Sequence, residues 1–189
     1  MTFNFTGDVT SVHPSVNSTF NTSQTLTGFY TFETDSADSN PRNNIGRYNG
    51  AITNLNVTVG SYTATLGNSG SNFIEIRNRA SERYLVQAPI IGPMVGELSP
   101  LRFRIELLNG SDVFSSDALT TTPPGLNFFA VDRFRLVFED GNGNARVRGI
   151  LTSLTAVPLP AAVILFGAGL IALVGLGAGS WRQKKNSLV

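Results

Sequence analysis

Groups that could carry out catalysis are few in this sequence. His13 is the single histidine and lies before Pro14 in a turn-like segment, and a Ser-His-Asp triad would have to use it. The stretch that begins at Gly67, Gly-Asn-Ser-Gly-Ser, breaks the Gly-x-Ser-x-Gly spacing of a nucleophile elbow. The chain has no cysteine, which excludes thiolate catalysis, disulfides and Cys-based zinc sites. Its 13 acidic residues could include a glycosidase pair, but the sequence does not show which of them approach one another. We therefore predict that the protein is not an enzyme.

Two oxygen-rich segments resemble calcium ligands only in part. The segment 140–144, Asp-Gly-Asn-Gly-Asn, begins like an EF-hand loop, but Ala145 and Leu151 occupy the positions that need glycine and glutamate. A turn between strands is the better interpretation. The second segment is a polar loop over 35–46, whose candidate ligands are Asp35, Asp38, Asn40 and Asn43. This set lacks the converging carboxylates of a dedicated site, so we predict no metal and no cofactor.

The charges before residue 161 are nearly balanced, with 11 arginines against 13 acidic residues. No segment has the density of basic residues that phosphate binding needs, so nucleic acid is not expected as a partner. The same part of the chain is rich in Thr, Ser, Asn and Gly and contains 12 of the 13 phenylalanines. This mixture is typical of β-strands joined by polar turns.

Alternating apolar and polar residues predict an all-β domain over 1–155. Phe3, Phe5 and Val9 alternate with polar residues, and similar short segments follow at regular intervals with turn-forming residues between them. We predict a single antiparallel β-sandwich of jelly-roll-like form. No amphipathic helix is expected in this part of the chain.

Two segments, 101–107 and 132–138, share the pattern Arg-Phe-Arg-aliphatic and form the clearest predicted strand pair. The inward residues are expected to be Phe103, Ile105, Leu107, Phe134, Leu136 and Phe138. The outward residues are then Arg102, Arg104, Arg133 and Arg135. Because Glu106 lies on the same outer face, cross-strand pairing or solvation is the first interpretation of these charges. Binding of an acidic polysaccharide is the alternative.

The end of the chain is predicted to cross a membrane. Residues 161–180 are 20 residues without a charge, which as a helix would span about 30 Å, the thickness of a bilayer's hydrocarbon core. Trp181 suits the interface, and a basic end follows with Arg182, Lys184 and Lys185. Since these charges follow the span directly, the positive-inside rule places the C-terminus in the cytoplasm and the domain outside.

The residues around this stretch resemble a known sorting signal. A box of Val157, Pro158, Leu159, Pro160 and Ala161 is followed by the apolar stretch, which contains Leu-Phe-Gly at 165–167, and then by the basic end. Their order resembles the PEP-CTERM signal, in the variant whose box reads VPLPA, found on exported proteins of Gram-negative bacteria. The resemblance covers residues 156–185, within a predicted sorting signal over 156–189. It implies export, anchoring in the inner membrane and processing near residues 157–161 by an exosortase. An ordinary C-terminal anchor that is never cut is the alternative.

The first residues do not read as a signal peptide, because Met1–Val9 has the pattern of a strand. We expect either a signal peptide encoded upstream or a tail anchor with the domain in the cytosol.

The function predicted from these observations is that of an exported surface or extracellular-matrix protein without enzymatic activity. A carbohydrate-binding module for exopolysaccharide is the alternative, since sandwiches of this size often bind glycans. Its weakness is a shortage of exposed aromatic residues, because no tryptophan precedes residue 161. The tyrosines all lie in strand-like segments where burial is expected: Tyr30, Tyr48, Tyr62 and Tyr84.

Overall fold

The computed structural model describes residues 1–139 and 145–157. The strands in chain order are β1 (Thr2–Val12), β2 (Thr25–Phe32), β3 (Ile45–Asn49), β4 (Ile52–Val59), β5 (Tyr62–Leu66), β6 (Phe73–Arg77), β7 (Glu82–Ile91), β8 (Pro100–Gly110), β9 (Val131–Phe138) and β10 (Arg146–Ala156). Two single-turn 3₁₀ helices, Pro14–Val16 and Leu126–Phe128, lie in the connections. The described chain is therefore all-β.

The strands are antiparallel, and eight of them close into a barrel in the order β1, β2, β4, β5, β7, β8, β9 and β10. The ring closes because β7 pairs with β8 from Glu82 to Pro89. The other edge of β7 pairs with β5 at Ile90 and Ile91 and with β6 over 83–87. Strand β3 pairs with β6, so these two strands extend the barrel wall beside β7.

The prediction of a jelly-roll-like β-sandwich is wrong, because the strands form one closed wall and do not divide into two packed sheets. Alternation identifies the buried face of each strand, and that face has the same pattern in a sandwich and in a barrel. The pairing partners decide between the two, and pairs distant in sequence, such as β1 with β10, leave no local signal. Register shifts in β1, between Thr6 and Gly7 and between Val9 and Ser11, mark irregularities of the kind that bend a strand and help a wall to close.

Aromatic side chains fill much of the barrel interior. The rings of Phe5 and Phe103 stack with centroids 5.2 Å apart, and Phe134 lies 6.5 Å from Phe103. The hydroxyl groups of Tyr30 and Tyr84, 2.9 Å apart, form a buried hydrogen bond. The predicted inward residues of β8 and β9 are confirmed as buried: Phe103, Ile105, Leu107, Phe134, Leu136 and Phe138.

A buried carboxylate holds the long connection between β8 and β9. The Glu82 side chain, in a residue only 2% exposed, accepts hydrogen bonds from the backbone N–H groups of Val113 at 2.7 Å and Phe114 at 3.1 Å. Phe114 then packs against Tyr84 and Phe129. This long connection is thus fixed to the barrel near one end.

The predictions of a C-terminal transmembrane helix, and of an inner-membrane location through it, are contradicted. In residues 1–139 and 145–157 we find no helix with the length and apolar character needed to cross a membrane. The predicted span, 161–180, lies outside the described residues. The apolar composition that suggested a span is a property of sequence alone.

Candidate anion-binding face

Six arginines lie on the outer surface of β8, β9 and β10, which we call the arginine face: Arg102, Arg104, Arg133, Arg135, Arg146 and Arg148. Because residues such as Phe103 and Phe134 point inwards, the period of two places the alternate arginines outside. The register sets Arg135 between Arg104 and Arg148, so these arginines form one row across three strands. In the next row, Val137 lies between Arg102 and Arg146.

A single buried glutamate neutralises part of the arginine face. Glu106 is 5% exposed, and its Oε2 lies 2.7 Å from Nε of Arg133 and 3.1 Å from Nη2 of Arg135. Its Oε1 lies 3.2 Å from Nη1 of Arg104. Burial alone would raise the pKa of Glu106, but the Arg133 hydrogen bond and the neighbouring positive charges outweigh it and lower this pKa. Glu106 is therefore ionised at neutral pH and shared by three arginines.

The remaining arginines of the face have no carboxylate. Arg102, Arg146 and Arg148 form no ion pair with any residue in 1–139 or 145–157. Burial, followed by the charges of Arg146 and Arg133, lowers the pKa of Arg148. The Nε–H groups of Arg135 and Arg148 are covered and lack a hydrogen-bond partner within the described residues. The face thus has an excess of positive charge and spare donors.

A second glutamate-centred cluster lies on the same side of the wall, on β3, β6 and β7. Glu75 forms ion pairs with Arg47 at 3.3 Å, Arg83 at 3.6 Å and Arg77 at 3.7 Å. Arg47 also stacks 3.6 Å above the ring centroid of Phe73. Each of these three arginines is paired with Glu75, whereas Arg102, Arg146 and Arg148 on the arginine face form no ion pair within the described residues.

A small depression lies within the arginine face. It is lined by Arg102, Arg104, Arg135, Val137 and Arg146. Its volume of about 30 Å³ accepts two or three water-sized groups, each of which needs about 10–15 Å³. Guanidinium groups bind carboxylate, sulfate and phosphate through parallel N–H···O bonds. The depression has the size and charge to receive the oxygens of one anionic group.

The structure brings together the four arginines that the sequence placed on an outer face, and it shows cross-strand pairing through Glu106. Sequence reasoning did not include Arg146 and Arg148 in this surface, nor Gln87 on the neighbouring strand. The signal was available, because Arg146-Val-Arg148 alternates as the two Arg-Phe-Arg segments do. Register, which puts Arg148 beside Arg135, was not readable from sequence.

The other candidate residues have local structural roles. His13 Nδ1 accepts a hydrogen bond from the backbone N–H of Ser15 at 3.3 Å and caps a 3₁₀ turn. Asp38 Oδ1 accepts from the N–H groups of Asn40 and Arg47, both at 2.8 Å, and so covers part of the edge of β3. Within the described residues no group of three or more His, Cys, Asp or Glu side chains could hold a metal ion. The segment 140–144 lies outside those residues.

The predicted sorting residues lie almost entirely beyond the described chain. Val157 is the last described residue, while Pro158, Leu159, Pro160 and Ala161 are outside it. The basic end of Arg182, Lys184 and Lys185 is outside it as well.

Fold and site together define an antiparallel β-barrel with an arginine-rich outer face. No protein-family model matches the chain, and neither a curated protein nor a solved structure matches it. The function of this chain is therefore inferred from its own geometry.

Proposed function

We propose that the protein is a non-enzymatic surface or extracellular-matrix component whose barrel binds an acidic polysaccharide on the arginine face. The observation that supports this most is the row of Arg104, Arg135 and Arg148 across three adjacent strands. Like charges directly opposite one another destabilise a sheet. A single glutamate offsets only part of this repulsion, and an anionic ligand would offset the rest.

An extended anionic polymer fits the face better than a small anion. Neighbouring strands are about 4.8 Å apart, so the row from Arg104 to Arg148 extends about 10 Å. A polymer with repeated carboxylate or sulfate groups can engage several arginines at once and gains avidity from each additional contact. Single-stranded nucleic acid would need exposed aromatic side chains on which its bases could stack. The neighbours of this row are Gln87, Val137 and Ile150, none of which is aromatic.

Titration calorimetry with a polyuronate and with a neutral glucan tests the proposal. The polyuronate should bind with an affinity that falls as salt rises, because added ions screen the arginines. The triple variant Arg104→Gln, Arg135→Gln and Arg148→Gln should lose at least about tenfold in affinity, since each charge-assisted hydrogen bond contributes about 1.5–3 kcal/mol.

The control is the double variant Arg42→Gln and Arg79→Gln, which removes two exposed positive charges away from the arginine face. It should retain polyuronate binding. The proposal fails if the polyuronate does not bind at low salt, or if both variants lose the same affinity.

Processing by an exosortase is a second proposal, and it concerns the segment that follows the barrel. Strand β10 ends at Ala156, and the Val157 N–H donates to the carbonyl of Thr2 at 2.9 Å. The box at 157–161 therefore begins directly after β10. Intact mass should be lower in cells with an exosortase than in cells without it. An uncut chain in both would contradict the proposal.

A further inference from the structure

A cleft adjoins the arginine face on the side of β7. It has a volume of about 220 Å³, and its lining includes Ser69, Gly70, Ser71, Gln87, Pro89 and Arg102. Arg102 also borders the depression within the arginine face, so the two concavities meet at this residue. A ligand chain that crosses the strands can therefore occupy both.

The chemistry of the cleft differs from that of the arginine face. Hydroxyl groups come from two serines, Pro89 supplies an apolar surface, and Arg102 at the border is the one charged lining residue. Hydroxyl, amide and carbonyl groups suit an uncharged, hydroxylated ligand. An anionic group placed deep in the cleft would lose water without gaining a second cation, which is unfavourable.

Gln87 connects the two surfaces. It is 8% exposed, and its Oε1 accepts hydrogen bonds from the Arg104 guanidinium, one of them from Nε at 2.9 Å. Its Nε2 donates to the carbonyl of Ser71 at 3.5 Å. The Gln87 amide thus contacts both Arg104 on the arginine face and the Ser71 segment that lines the cleft.

We propose that this cleft binds a neutral sugar adjacent to the acidic sugar whose charge lies on the arginine face. The ligand class is then a polysaccharide in which neutral and acidic sugars alternate. This inference rests on the proposed function. The path from β7 to β10 crosses three strand spacings, about 14 Å, which is more than one anionic group requires.

Three probes of matched chain length distinguish the possibilities: hyaluronan, in which acidic and neutral sugars alternate, polygalacturonate, in which every sugar is acidic, and polyphosphate. Hyaluronan should bind at least about fivefold more tightly per charge than the other two, which corresponds to one additional hydrogen bond. The variant Ser71→Leu removes a hydroxyl and fills part of the cleft. It should abolish this preference and leave the affinities for polygalacturonate and polyphosphate unchanged.

Ser61→Leu, on an exposed serine in the turn between β4 and β5, is the matched control and should keep the preference. Equal affinity per charge for all three probes, or an equal loss for all three in Ser71→Leu, would overturn the inference and leave the proposed function intact. Failure of every polyanion to bind the wild-type protein would overturn both.

Discussion

Removal of the charge at Glu106 tests whether the arginine face is held together by one carboxylate. Glu106→Gln keeps the shape of the side chain and leaves Arg104, Arg133 and Arg135 without their shared counter-charge. Losing one partner of a buried ion pair costs about 3–5 kcal/mol. The arginine partners here are 23–38% exposed as side chains, and water screens them in part. We therefore expect the free energy of unfolding to fall by about 2–3 kcal/mol.

The same variant has a defined dependence on pH. The pKa of Glu106 is lowered in the folded protein, so its stabilising contribution is complete above the unfolded value of about 4.3. That contribution is lost as pH falls through the folded value. The difference in stability between wild type and variant should be largest near pH 7 and should shrink below about pH 4.

Urea unfolding of wild type and variant at several pH values measures this difference. In thermal unfolding at neutral pH, the melting temperature of Glu106→Gln should be about 4–12 °C below that of the wild type. Added salt should narrow the gap, because it screens repulsion among the arginines. Glu97→Gln, at an exposed glutamate, is the control. A loss below about 0.5 kcal/mol, the usual range for surface changes, would refute the reasoning. A gap that is the same at pH 7 and pH 3 would refute it as well.

Three further changes test the barrel and its loop. Tyr30→Phe or Tyr84→Phe alone should lower the free energy of unfolding by about 1–3 kcal/mol in urea titrations, because the other buried hydroxyl loses its partner. The double change should cost less than the sum of the two. Gly149→Ala should lower the free energy of unfolding by at least about 1–3 kcal/mol, since a Cβ there would collide with the ring of Phe134. A smaller loss in urea titrations would contradict this packing. Glu82→Gln should speed amide hydrogen exchange at the start of the β8–β9 connection, and unchanged exchange there would show that this carboxylate does not hold the loop.

The sequence contained enough to predict the strands and their buried faces but not their closure. Phe103 and Phe134 are inward, as alternation requires, because burial of alternate side chains is a local property. Closure depends on contacts such as that of Phe3 with Ala156, which are separated by almost the whole described chain. No local pattern reports such a contact.

The candidate site was predictable to a similar extent. Four of its arginines were placed on an outer face from two matching segments. Their concentration into a charged row was not predictable, because it depends on Arg148 lying beside Arg135 after β10 pairs with β9. The link between this row and the cleft beside β7 depends in turn on Gln87 lying opposite Arg104.

The position of β10 between β1 and β9 has a consequence for folding. The ring cannot close until β10 has been synthesised, although β1 leaves the ribosome before the other nine described strands. Until then the edges of β1 and β9 present unpaired backbone groups, which are sites for pairing with other chains. Pairing of β1 with β10 also requires closure of a loop of nearly the full domain, a feature of slow folding. The unfinished chain therefore needs protection from aggregation that the finished barrel does not need.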